Sequence, residues 1–114
     1  MNEDQISKTG SVRKNAGKPK MSHIDPEFIL GMAKVLTIGE KKYEAFNWAK
    51  GNNMLVPYDS AMRHILSYIS GENLDEESGE SHLFHAAVNL MFMYYYEKNF
   101  SDMDDRFFIK DKNE

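Results

Sequence analysis

The sequence predicts an all-α fold, a compact bundle of three main helices, and three observations carry that prediction. Apolar residues recur at helical spacing over three stretches, helix-starting and helix-stopping residues bracket those stretches, and no stretch alternates convincingly as a strand. The first helix starts at Asp25-Pro26-Glu27, with Asp as N-cap, Pro at the first position and an acid in the first turn. Phe28, Met32, Val35, Leu36, Gly39, Tyr43 and Phe46 then recur on one stripe, where Gly39 offers room for a close approach. Asn47 to Asn53 reads as a loop ending in Gly51-Asn52-Asn53. A second helix is expected from Pro57 or Tyr58 to Ser70, with Tyr58, Ala61, Met62, Ile65 and Ile69 as its buried face. In that reading Ser60, Arg63 and Ser67 face away and His64 lies on the flank. The third helix follows a cap at Ser78 or Ser81 and runs to about Phe100, and Ser101-Asp102 caps a short terminal helix through Phe108.

The third helix is apolar or aromatic on nearly every side from Leu83 to Tyr96, which places it in the middle of the bundle. Two further helices barely surround such a surface, so homo-oligomerisation is expected to complete the core. Residues 1–16 lack periodicity and read as a flexible arm, residues 17–108 as the working domain, and residues 109–114 as a frayed tail.

Composition narrows the function classes. With no cysteine, the 114-residue chain has no disulfide, thiolate metal site or cysteine nucleophile. No signal-peptide core and no bilayer-length apolar run are present, so a cytoplasmic location without membrane contact is expected. Residues 1–20 carry five Lys/Arg and two acids, while the remainder carries nine against sixteen. A body of that sign is a poor partner for nucleic acid, and none is expected. Gly-x-Ser-x-Gly, phosphate-binding Gly-rich loops and dinucleotide fingerprints are all missing.

The chemistry gathers between Gly71 and Asn89. A loop carrying Glu72, Asp75, Glu76, Glu77 and Glu80 runs into a helix that presents His82, His85 and Asn89. At 100° per residue those three side chains fall within about 60° of one another, as one polar stripe. Carboxylates and imidazoles so close in sequence suit a divalent metal, with Glu72, Asp75, Glu77 and His82 as ligands. Oxygen ligands favour Mg²⁺ or Mn²⁺, and a larger histidine share favours Zn²⁺. The competing explanation is ordinary: acids before a helix suit its dipole, and bundle histidines are satisfied by hydrogen bonds. Basic and aromatic residues supply a candidate nucleotide surface. Lys18, Lys20, Lys41, Lys42, Arg63 and His64 would meet phosphates, with Tyr43, Asn47 and Trp48 beside them for a base.

Several of these elements, in order, resemble a known family. They are Gly17-Lys18-Pro19-Lys20, Gly39-Glu40-Lys41-Lys42-Tyr43 with Asn47-Trp48, and Arg63-His64. Gly71-Glu72, Asp75, Glu77-Ser78-Gly79, His82, His85-Ala86 and Asn89 continue the match. The chain is similar to the dATP/dGTP diphosphohydrolase-like proteins common in bacteriophage genomes. The resemblance implies a small helical protein akin to MazG-type pyrophosphohydrolases, handling a purine nucleotide in an infected bacterial host. Two departures stand out: Ser22 occupies a position where the family carries Asp, and His23-Ile24-Asp25 replaces a Leu-Ile-Pro run. The paired-carboxylate helix motifs that hold Mg²⁺ in MazG enzymes are also missing, although Glu40 and Glu44 share a helix.

Two functions follow from this reading. One is hydrolysis of purine nucleoside triphosphates between the α- and β-phosphates, with Glu77 and His82 as catalytic groups at a metal. His85 and Asn89 would contact the nucleotide. The other is a non-catalytic sponge, in which the same groups sequester a cyclic or linear nucleotide immune signal and no cofactor is needed.

Overall fold

A computed structural model describes residues 4–14 and 16–108. The expected 109–114 tail lies outside the described residues. The molecule is mostly helical, with α1 at Pro26–Lys42, α2 at Leu55–Ile69 and α3 at His82–Asn99. One element was not anticipated. Within the stretch expected to be a flexible arm, β1 (Asp4–Ile6) pairs antiparallel with β2 (Val12–Lys14). The short alternation Val12-Arg13-Lys14 gives little sequence signal, and turn chemistry makes the hairpin. Ser7 N–H donates to the Ser11 carbonyl at 2.9 Å, and Gly10 closes the turn at φ +90°. The described side chains of both strands are exposed.

Caps decide where the helices begin. Asp25 accepts from Glu27 N–H at 3.0 Å with Pro26 at the first position, as the sequence implies. Of the two candidate serines, Ser81 caps α3 and accepts from Leu83 N–H at 3.0 Å. Helix α2 starts two residues earlier than Pro57 because its cap comes from far along the chain. Leu55 N–H donates to the Asp105 carboxylate at 2.9 Å, and Met54 N–H to the Met103 carbonyl at 3.3 Å. That use of residues 103–105 also explains why no terminal helix runs to Phe108. A single 3-10 turn, Ser101–Met103, precedes extended chain, and Phe107 and Phe108 are exposed. At the other end of α1, the helix stops at Lys42 instead of running on to Phe46. Asn47–Lys50 is a 3-10 turn that packs on α3, where Trp48 stacks on Phe92 at 5.1 Å. The Tyr96 hydroxyl donates to the Trp48 carbonyl at 2.8 Å and fixes the turn in place.

Helix α3 is central, as its apolar surface implies. Both α1 and α2 pack on it and scarcely meet each other. The close approach of α1 to α3 occurs at Gly31, where an added Cβ would sit 2.3 Å from the Phe84 ring. Phe28 completes the contact with an edge-on approach to Phe84 at 5.2 Å. Gly39, the expected site of close approach, faces open space.

The α2–α3 seam also departs from the apolar pattern. Pro57 and Ala61 are buried and Ser60 and His64 half-buried, while Tyr58 and Ile69 are exposed. The helix is therefore turned so that Ser60 and His64 join the half-buried Met62 and Ile65, while Tyr58 and Ile69 face out. The core is thin: Val35, Met54, Ala61, Ala86, Val88 and Tyr96 are its buried apolar members, and His82 is its buried polar member. Leu83, Leu90 and Tyr94 remain exposed along α3. Among the described residues no helix is long and apolar enough to cross a membrane.

Candidate functional site, a histidine and carboxylate cluster

The site is built where the 71–81 loop folds back on the α2–α3 seam. Internal hydrogen bonds fix this loop. Asp75 N–H donates to the Glu80 carbonyl at 2.8 Å, Gly79 N–H to the Asp75 carbonyl at 2.8 Å, and His82 N–H to the Asn73 carbonyl at 3.0 Å. Gly79 holds φ +76°, a conformation that L side chains rarely adopt. Ser78 N–H donates to Asp75 Oδ2 at 2.9 Å, and Ser78 Oγ accepts from Glu80 N–H at 3.1 Å. Asp75 is thereby turned inward, while Glu76 and Glu77 point to solvent.

Three imidazoles meet this loop. His82 is 3% exposed and bonded through both ring nitrogens. Its Nε2 lies 2.5 Å from Glu72 Oε1, and its Nδ1 lies 2.8 Å from Nδ1 of His64 on α2. His85, one turn further along α3, stacks on His64 with ring centroids 4.4 Å apart and planes 10° from parallel. Its Nε2 is 2.7 Å from Ser78 Oγ and 3.8 Å from Asp75 Oδ2. One metal-ligating atom each from His64, Asp75 and His82 fall within 4.8 Å of one another.

The electrostatics follow from burial and neighbours. Burial pushes the His64 and His85 imidazoles below the ordinary range; His85 reinforces this at His64, whereas Asp75 opposes it at both rings. Burial by itself would raise Asp75, but hydrogen bonds from Ser78 and the adjacent His85 and His64 outweigh it and hold the carboxyl below its usual range. The cluster is thus an anion set among imidazoles poised to offer lone pairs.

The expected site residues divide into several places. Glu72, Asp75, His82 and His85 come together, and His64 joins them. The sequence pairs His64 with Arg63 as a phosphate contact, and its place on the seam is signalled only by its position three residues after buried Ala61. Asn89 extends the α3 stripe, but its amide donates to Ser60 Oγ at 3.1 Å and to the His85 carbonyl at 2.9 Å. Glu77 is exposed and paired with Lys42 at 3.1 Å, which ties the end of α1 to the acidic loop. Lys41, Tyr43, Asn47 and Arg63 are exposed, and one face of Trp48 is occupied by Phe92. Lys18 and Lys20 line, with Gln5 and His23, a separate polar hollow of about 450 Å³. Ser78, expected only as a candidate cap, and Ser60, expected to face away, are partners within the cluster and its α3 stripe. The Gly79 turn after Ser78 was the available signal.

A mostly helical domain whose central seam holds three imidazoles against two carboxylates has the chemistry of a site for cations or phosphates. The chain belongs to the family described as dATP/dGTP diphosphohydrolase, N-terminal, whose model matches residues 8–106. It is 38% identical over 95 residues to a dATP/dGTP diphosphohydrolase of Salmonella phage PMBT28, covering 83% of this chain. The chain spans about a third of that relative's length, 32%. No solved structure matches.

Proposed function

We propose that this chain is a phage nucleotide-handling domain that hydrolyses purine (deoxy)nucleoside triphosphates to the monophosphate and pyrophosphate. The observation that carries the reading is the His64–His82–His85 cluster closed by Glu72 and Asp75, in a chain of a diphosphohydrolase family. In the proposed reaction, water adds to the α-phosphorus, the bond to the bridging oxygen breaks, and pyrophosphate leaves with that oxygen. Of the clustered histidines, His85 alone directs a nitrogen at a hydroxyl, that of Ser78, and this nitrogen is placed to take the proton of water. The carboxylates of the 71–81 loop would hold Mg²⁺ or Mn²⁺ entering with the triphosphate, and the ion would neutralise phosphate charge. Lys42, paired with Glu77 of that loop, and the exposed Lys41 and Arg63 supply the remaining positive charge. Leu83, Leu90 and Tyr94, left uncovered on α3, support assembly of like copies across that face.

Labelled dATP and dGTP, incubated with the protein with and without Mg²⁺ or Mn²⁺ and then released by denaturation, test this reading. dAMP or dGMP with pyrophosphate is the expected product, lost in His85→Ala. Recovery of bound but intact nucleotide under all conditions would overturn hydrolysis in favour of sequestration.

A further inference from the structure

We infer that His64, Asp75 and His82 form a resident site for a borderline transition-metal ion of the Zn²⁺ or Co²⁺ kind, distinct from any Mg²⁺ carried in by a nucleotide. Glu72 is a carboxylate that only accepts, so Nε2 of His82 carries a hydrogen, and the two Nδ1 atoms 2.8 Å apart share one proton between them. That arrangement, two imidazole lone-pair positions converging on one point, is what a cation replaces when it displaces the proton. The Glu72–His82 pair has the form of a carboxylate that orients a metal-bound histidine from behind.

Distances fit with small adjustment. Ligand atoms around a tetrahedral ion with bonds of about 2.0–2.1 Å lie roughly 3.4 Å apart. The two Nδ1 atoms must therefore open slightly, and the Asp75 carboxylate must close from within 4.8 Å. Rotation of the Asp75 side chain, with release of its bond from Ser78 N–H, would supply most of that movement, and small turns of the two imidazole rings the rest. Three protein ligands leave one coordination position for water or a phosphate oxygen. Two nitrogens and one oxygen select a borderline ion over Mg²⁺, which prefers an all-oxygen octahedron. Sequence spacing alone points to Glu72, Asp75 and Glu77 with His82. The tertiary contact replaces Glu77 with His64 and moves Glu72 behind His82.

The test uses the full chain, stripped with chelator and titrated with Co²⁺ while visible absorption is recorded, then with Zn²⁺ in competition. One Co²⁺ per chain with ligand-field bands in the visible, displaced by Zn²⁺ and not by millimolar Mg²⁺, is the expected result. His64→Ala should lose at least 100-fold in Zn²⁺ affinity, and Glu72→Gln about 10- to 100-fold. Lys34→Ala, on the exposed face of α1, should bind as the parent chain does. Should His64→Ala fail to fold, His64→Gln replaces it, and loss of the Zn²⁺-induced shift of the His82 imidazole resonances is the expected result. Unchanged Zn²⁺ affinity in a folded His64 variant, or equal displacement by Mg²⁺, overturns the site. Turnover of dATP or dGTP by a chain that binds no Zn²⁺ would also sink this inference while leaving the hydrolase reading intact. Stoichiometric Zn²⁺ binding without turnover would do the reverse.

Discussion

His64 on α2 and His82 on α3 face each other through their Nδ1 atoms at 2.8 Å, and this contact joins the two most extensively packed helices. Because the pair shares one proton, removing either ring strands the other. The two substitutions should therefore be strongly non-additive. Urea unfolding of His64→Ala, His82→Ala and the double variant should give a coupling of about 0.5–3 kcal/mol. Additive losses would mean that the contact contributes nothing of its own.

Gly31 and Gly39 sit on the same helix and should respond with opposite signs. Gly31→Ala drives a methyl into the Phe84 ring and should cost about 1–3 kcal/mol. Gly39→Ala meets open space within a helix and should gain roughly 0.5–1 kcal/mol. Thermal melts of the two variants on the same buffer decide the matter.

Asn89 is spent on structure as much as on any ligand. Its amide crosses the seam to Ser60, so Asn89→Ala should lower stability by about 0.5–1.5 kcal/mol. A role for Asn89 in contacting the nucleotide alone would leave the melting temperature level or raise it. A level or raised melting temperature would assign the side chain to ligand binding instead.

Asp105 caps a helix fifty positions earlier in the chain. Asp105→Ala should cost about 0.5–2 kcal/mol, and hydrogen exchange should quicken at the first turn of α2 while α3 stays protected. Uniform protection in the variant would remove the cap from the account.

Stability of the metal-free chain should depend on pH in two windows. His64 and His85 are held below the ordinary imidazole value of 6.5, so below that value the unfolded chain takes up protons that the folded chain refuses. Stability is then complete above 6.5 and falls as the pH drops beneath it. Asp75, held below its ordinary 3.8, adds stability that is present above that value and is lost as pH falls through its folded-state pKa. Denaturant midpoints in chelator from pH 8 to pH 3 should be flat and then decline. A rise between pH 7 and pH 5 would contradict the burial of the two rings.

Local signals were enough for three helices, for the Asp25 cap, for a serine cap before α3 at Ser78 or Ser81, and for the centrality of α3. Each rests on residues a few positions apart, where periodicity and capping chemistry act. The stripe of His82 and His85 beside an acidic loop was equally legible, because one helix face and the loop before it are contiguous in sequence. Tertiary structure alone decided the rest. The rotation of α2 that turns His64 inward follows from polar contacts with α3 and the loop, contacts that a hydrophobic pattern on α2 does not encode. The start of α2 depends on Asp105, and the close approach of α1 depends on Phe84 meeting Gly31, both partners distant in the chain. Sequence composition thus fixed which ionisable groups the domain carries. Packing between elements determined which of them share a proton.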